Sequence, residues 1–567
     1  MNSPQIAPGP QAHDVEVDVL VVGSGTGMAA ALAAHEKGLT CLIVEKTEYV
    51  GGSTARSGGA FWVPANSTLA RDGATDTTER AESYLEAVVR DVAPAERWHA
   101  YLDHGRAAID MVERTTGLEF FWAKGYSDYH PENPGGSAVG RTCESKPYDA
   151  SALGEERSRF RPGLMEAPVP MPVTGADYKW MNLVARKPMS ALPRIGKRVA
   201  QGIGGKAVGR EYVAGGQAIA AGLFAGVTEA GIPVWTRTSL VSLTRDAERV
   251  TGATVEQDGR TVTVTARRGV ILATGGFEHN VPLRREHGGA IYDQDYSLGS
   301  EGNTGDGIFA GQDAGADLAF MDQAWWFPAI APVGDGPVQV LLAERSLPGS
   351  LIVNERGERF INESTDYMTF GQTVLAGRTS GEGPRDMWMV FDQRYRDSYV
   401  LAGAVFPRQG LPQEWLDAGI AHRGDNPRAL ADAIGVPGDA LLSTLRRFNA
   451  LAANGNDEDF HRGASAYDRY YGDPTQTPNP CLRPLRGGLY AVKVVVSDLG
   501  TCGGLKADER ARVLRPDGSA IEGLYAIGNT AGNAFGDRYP GAGATIGQGL
   551  VFGYIAALDA AGALESS

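Results

Sequence analysis

The stretch VDVLVVGSGTGMAAALAAHEKGLTCLIVEK, residues 17–46, decides the fold. An apolar run from Val17 to Val22 predicts a strand, and a turn rich in glycine comes next. An alanine-rich helix then runs to about Lys37, and a second strand ends at Glu45. In such a unit the glycines let the backbone approach a pyrophosphate at a helix N-terminus. An acid at the end of the second strand accepts both hydroxyls of an adenosine ribose. Gly23, Ser24, Gly25, Thr26 and Gly27 take the turn, and Glu45 with Lys46 takes the ribose end. The third glycine, Gly27, comes one residue early and Met28 stands in its usual place. The complete order of strand, turn, helix, strand and acid therefore carries the reading, not the glycines alone.

A second glycine-rich loop separates FAD from NAD. The segment KTEYVGGSTARSGGAFWVP puts Gly52, Ser53, Thr54, Ser57, Gly58 and Gly59 just beyond the ribose acid. This loop of backbone and hydroxyl groups suits the remaining phosphate and an isoalloxazine edge, which an NAD fold does not need. Farther on, the strand in RRGVILATGGFEHN ends at Ala273, Thr274 and Gly275, and the strand in IEGLYAIGNTAGNAFG ends at Gly528 and Asn529. Each alone reads as a β-turn; their joint order points to one bound cofactor.

The remaining composition sets outer limits. A chain of 567 residues accommodates two or three domains, and 43% apolar with 21% charged residues is ordinary globular usage. The formal net charge of −15 opposes attraction to nucleic acid. Cys41, Cys143, Cys481 and Cys502 are scattered, with no C-x-x-C pair, so neither a disulfide framework nor a metal site is expected. The start, MNSPQIAPGPQAHDVEVD, has no basic segment followed by an apolar one, and no apolar run approaches the ~20 residues of a membrane span. A cytoplasmic protein with a short disordered leader is the expectation.

Taken together, these motifs resemble the flavoprotein 3-ketosteroid Δ1-dehydrogenases, within the wider fumarate reductase and succinate dehydrogenase flavoprotein group. The resemblance spans nearly the whole chain, through GYSDYHPENPGG, NTGDG, DQAWWFP, VNERGERFINESTDY, YDRYYGDP, DLGTCGG and YPGAGATIG. It implies an α/β fold: a Rossmann-like FAD-binding domain, residues 1–320 and 484–567 with an elaboration at 107–210, and an inserted α+β catalytic or capping domain, 321–483. No segment matches a histidine for covalent flavin attachment or an arginine proton shuttle, so the FAD is expected to be held non-covalently.

The resemblance also implies the chemistry: 1,2-desaturation of a 3-ketosteroid, with proton abstraction from carbon 2, hydride transfer from carbon 1 to flavin, and reoxidation by an electron acceptor. Tyr539 and the Gly543 N–H are expected to grip the ketone oxygen. Tyr367 is expected to act as base, supported by Tyr129 with Tyr126 close behind, since spacing alone does not choose between them. Asp306, Ala544, Thr545 and Ile546 are implied as flavin contacts, and Trp325, Trp326 and Phe327 as an apolar wall against the steroid. Ser497 and Cys502 depart from the glycine and basic residue expected there, while Tyr467, Tyr470 and Tyr471 read as structural. The alternatives are a related flavoenzyme acting on the carbon 4–5 bond or another cyclic enone, and a non-catalytic flavoprotein that binds a steroid or lipid.

One segment stands apart. Residues 179–210, KWMNLVARKPMSALPRIGKRVAQGIGGKAVGR, hold eight Lys or Arg and no acid. They read as a solvated surface excursion or, more sharply, as a weak peripheral contact with an anionic membrane surface.

Overall fold

Val15–Val22 forms the middle strand of a parallel sheet in the computed structural model, which describes residues 15–164, 170–289 and 295–564. Residues 1–14 of the expected leader lie outside the described residues. Arg260–Leu272 and Cys41–Val44 flank this strand, and Ala520–Ala526 and Val234–Trp235 extend the sheet on either side, all in parallel. Leu20 lies opposite Val270 on one edge and Leu42 on the other. These strands read as near-continuous Val, Leu and Ile because helices cover the sheet, as a parallel sheet requires. Gly27–Glu36 and Ala544–Ala560 pack together against it.

The elaboration within the FAD-binding part builds a three-stranded antiparallel sheet of Ala60–Trp62, Thr142–Ser145 and Phe120–Trp122. The loop carrying Tyr126 and Tyr129 hangs between the last two of these strands in sequence. Its anchor is Asp128, fully buried, which accepts from Trp62 Nε1 at 2.9 Å and from Ser137 N at 2.9 Å and is paired with the guanidinium of Arg141. Arg141 also reaches Asp76, 2.9 Å away. The turn Tyr539–Gly543 packs on the same sheet. Gly543 has φ +94°, and a Cβ there would fall on the backbone of Ala60.

The capping part is a six-stranded sheet with helices. Its long strand Leu489–Thr501 pairs along one edge with Met387–Asp392, and along the other with Ala421–Gly424 and Ala324–Ile330. The expected boundary at 483/484 therefore precedes a strand that is central to the capping sheet, and the chain returns to the FAD-binding part only after Thr501. The helix Tyr367–Ser380 lies on Ala324–Ile330 so closely that a Cβ on Gly371 would fall on the side chain of Trp326.

The four cysteines are buried and free of disulfides. Among the described residues there is no helix long and apolar enough to cross a membrane, and no group of three His, Cys, Asp or Glu that could hold a metal ion.

Arg141→Met leaves the buried Asp128 without its cation, and a loss of about 3–5 kcal/mol is expected in denaturant unfolding. Gly543→Ala combines a left-handed backbone with a collision at Ala60. At least about 1–3 kcal/mol of destabilisation is expected, together with weakened flavin retention read from the visible spectrum.

Candidate active site

A cleft with about 980 Å³ of open space runs along the C-terminal ends of the parallel strands, where ligands of open α/β sheets bind. Gly23, with φ +109°, turns the chain where a Cβ would fall on the carbonyl of Ala273. Beside Gly25 the nearest atom a Cβ would meet is Thr54 Oγ1 at 3.2 Å, so the backbone is bare toward the cleft. Glu45 is held by Ser24, whose N–H and hydroxyl lie 3.1 and 2.5 Å from Oε2, and by Thr47, whose N–H and hydroxyl lie 2.9 and 2.8 Å from Oε1. Lys46 pairs with Asp306 at 2.8 Å. At the opposite end Thr545 and Ile546 present the first turn of a 17-residue helix, a site for electronegative atoms. A bare glycine turn, a ribose-end acid and a second helix N-terminus fit an extended FAD.

Of the residues expected at the cofactor, Gly23, Ser24, Gly25, Thr26, Glu45, Lys46, Gly52, Ser53, Thr54, Ser57, Ala273, Thr274, Gly275, Asp306, Gly528, Asn529, Thr545 and Ile546 line this cleft. Gly27 does not. A Cβ there would press on Val21 at 2.9 Å and Ala273 at 3.0 Å, so this glycine brings helix and strand together. Gly59 packs on the Gly215–Gly216 backbone, Gly58 faces open space, and Ala544 is buried in the first turn of its helix. Sequence reading passed over Ser300, Gly302, Asn303, Thr238, Leu240 and Leu499. The glycine- and serine-rich run ahead of Asp306 was a usable signal for the first three. Thr238 and Leu240, at the start of an ordinary strand, carry no such signal.

Next to the cleft the phenols gather. Trp325 joins the two places: its Nε1 donates to Asn529 Oδ1 at 2.9 Å, and its ring lies 4.7 Å from that of Tyr539. The Gly543 N–H donates to the Tyr539 hydroxyl oxygen, 3.4 Å away, so the main-chain donor and the phenol are neighbours on one turn. The Tyr367 ring is 5.7 Å from that of Tyr539, and Tyr129 stands 5.2 Å from both. Tyr126 sits one layer back, stacked on Tyr470 at 4.5 Å. Tyr467, read as structural, packs 4.8 Å from Tyr129. Trp326 is covered by the helix at Gly371 and by the Arg284 guanidinium, 5.2 Å from its ring. Phe327 joins a buried cluster with Leu298, Ala329 and Val338, on which Tyr367 also packs.

Each phenol is held by a different element. Tyr129 is fixed by its N–H to Pro540 O at 3.1 Å, which fastens its loop to the Tyr539 turn. Tyr367 opens its helix behind the cap residue Asp366, which accepts from Thr369 N at 2.9 Å. Buried Arg345 holds the approach, donating at 2.6 Å to the carbonyls of both Glu363 and Thr365. Burial drives the acidity of this cluster. It pushes Tyr367 and Tyr129 well above the usual phenol range and Tyr126 up to about 12. Burial also raises Tyr539, against the opposing pull of the Tyr367 hydroxyl and the Gly543 N–H. For Tyr367 the nearby Tyr129 hydroxyl opposes burial. Tyr129 itself makes no hydrogen bond of standard geometry through its hydroxyl among the described residues.

Comparison with known proteins agrees with this geometry. The family model described as FAD binding domain matches residues 18–546. The 3-oxosteroid 1-dehydrogenase of Mycolicibacterium smegmatis is 45% identical over 97% of this chain and 98% of its own length. The 4-oxocyclohexanecarboxylate 2-dehydrogenase of Sinomonas cyclohexanicum is 35% identical over 96% of this chain and 93% of its own. The crystal structure of 3-ketosteroid delta1-dehydrogenase from Sterolibacterium denitrificans, in complex with 1,4-androstadiene-3,17-dione, superimposes with a TM-score of 0.90 at 36% identity, over 97% of this chain and 100% of that one. With cleft, phenol cluster and full-length similarity in agreement, the chain belongs to the FAD-dependent 3-oxosteroid 1-dehydrogenase family.

Proposed function

We propose that this protein is an FAD-dependent 3-oxosteroid 1-dehydrogenase that introduces a double bond between carbons 1 and 2 of a 3-ketosteroid. The observation that carries this reading is the adjacency of the Tyr539 hydroxyl and the Gly543 N–H, 3.4 Å apart in a buried turn, with a second phenol, Tyr367, beside them. Bound FAD supplies the hydride acceptor. The Tyr539 and Gly543 donors hold the ketone oxygen and draw negative charge onto it, which acidifies the proton on carbon 2. Tyr367, as phenolate, takes that proton. Burial works against the phenolate. Tyr129 and the positive end of the helix that Tyr367 begins work for it. Tyr129 takes the supporting role, and Tyr126 packs behind it. Trp325 and Phe327 flank the reacting ring, whereas the position of Trp326 under its helix supports a packing role. A separate electron acceptor would reoxidise the flavin.

The excursion at 179–210 supports a second contact, a weak one with an anionic lipid surface. The helix Pro188–Ala207 turns apolar side chains outward, with Met189 at 87%, Leu192 at 54% and Ile203 at 51% exposure, and Val208 beyond it at 72%. Exposed Arg194, Lys197 and Lys206 lie along the same helix. Apolar insertion flanked by cations is the chemistry of interfacial helices, and a steroid partitions into the same phase.

Four measurements test these readings. Anaerobic addition of androst-4-ene-3,17-dione is expected to bleach the oxidised-flavin spectrum and yield a cross-conjugated dienone. Bleaching by a 5α-saturated steroid alone assigns the carbon 4–5 bond instead, and binding without bleaching assigns a carrier. Tyr539→Phe and Tyr367→Phe are each expected to keep FAD and lose about 10²–10³ in kcat or more. The wild-type rate should rise with pH, because burial raises the Tyr367 pKa and only the phenolate accepts the proton; near-normal turnover in either variant removes that residue from the mechanism. Co-sedimentation with phosphatidylserine vesicles at low salt should weaken about fivefold for each of Lys197→Gln and Lys206→Gln. Absence of wild-type binding there rejects the lipid contact.

A further inference from the structure

Glu278 lies just beyond the turn Ala273–Gly275 that lines the cleft, and its side chain is fully buried. Its carboxylate accepts from amides, Asn303 Nδ2 at 2.6 Å and Thr501 N at 3.3 Å. Glycines make the niche: a Cβ on Gly276 or Gly299 would fall on the carboxylate, and one on Gly500 would lie 3.5 Å from Oε1. Three loops thus approach without side chains around one acid. The same Asn303 Nδ2 lies 3.0 Å from Ser53 Oγ, and both Asn303 and Ser53 line the cleft. A single amide group separates the carboxylate from the cofactor site.

The charged neighbours are already matched to one another. Asp498 is paired with Arg284 at 2.8 Å and accepts from Ser297 Oγ at 2.6 Å. His279 is paired with Asp295 at 2.8 Å; burial lowers its pKa, but Asp295 overrides this and holds it at about 9. Glu278 is the carboxylate of this group that is bonded by neutral amides. Burial first, and Asp498 second, push it up to about 7, against the pull of Asn303 and His279.

We propose that Glu278 is a proton store for the reductive half of the reaction, binding one proton when the cleft gains negative charge and releasing it when that charge leaves. The inference rests on the reading of the cleft as a hydride-accepting flavin site. A hydride delivered to bound FAD would bring two electrons and one proton and add one negative charge. The proton from carbon 2 goes separately to Tyr367. The proton bound by Glu278 comes from solvent water, and its O–H is the only bond formed there. A negative charge gained in the adjoining cleft raises the pKa of a buried carboxyl, and a shift of about a unit is enough to protonate a group poised near neutrality.

Photoreduction of the FAD-loaded protein without steroid isolates this step from substrate chemistry, so failure of the steroid reading leaves the test intact. At pH 8 the reduced-minus-oxidised infrared difference spectrum of the wild type is expected to gain a protonated-carboxyl band that shifts in D₂O and is missing in Glu278→Gln. Indicator-dye titration is expected to show up to one proton fewer bound per flavin in that variant. A wild-type spectrum without the band overturns the proposal even where the variant fails to hold FAD, and so does a band that persists in Glu278→Gln.

Discussion

The backbone of Gly543 rests against that of Ala60, and the geometry of the site depends on that contact. It presses the first turn of the helix Ala544–Ala560, which lines the cofactor cleft, onto the small sheet Ala60–Trp62, Thr142–Ser145 and Phe120–Trp122. That sheet also holds the Tyr129 loop, through Trp62 and the buried Asp128–Arg141 pair. Tyr129 N–H to Pro540 O closes the circuit. Tyr539, Gly543 and Tyr129 are therefore carried by one connected set of elements.

Tyr367 reaches these elements from the capping sheet. Its place depends on Gly371, which lets the helix Tyr367–Ser380 lie directly on Trp326, and on Arg345, which fixes the two carbonyls before it. Drying this space has a cost, since every phenol in it becomes a weaker acid. A helix N-terminus and a neighbouring hydroxyl are the available counterweights, and both bear on Tyr367.

Much of this was legible in the sequence, for physical reasons. A glycine turn between an apolar strand and an alanine-rich helix has few other uses, so the cleft residues from Gly23 to Thr26 could be read directly. Gly27 was legible as part of the motif but not in its task, because helix-to-strand packing and cofactor approach leave the same mark in one dimension. The order of Tyr129 and Tyr126 was illegible. Both lie in one short loop, and which faces Tyr367 is decided by the bond from Tyr129 N to Pro540, more than 400 residues away in the chain. The end of the capping sheet was misjudged for a similar cause: Leu489–Thr501 looks like any apolar strand, and its partners Met387–Asp392 and Ala324–Ile330 are set by tertiary pairing.

That strand has a mechanical consequence. Hydrogen-bonded on both edges within the cap, it delivers Thr501 to the FAD side, where the Thr501 hydroxyl accepts from Phe277 N at 2.9 Å. The part that carries Tyr367 and the part that carries Tyr539 are thus tied by one continuous strand, braced on both sides at its root in the cap and on one side where it leaves, like a cantilever set in a wall.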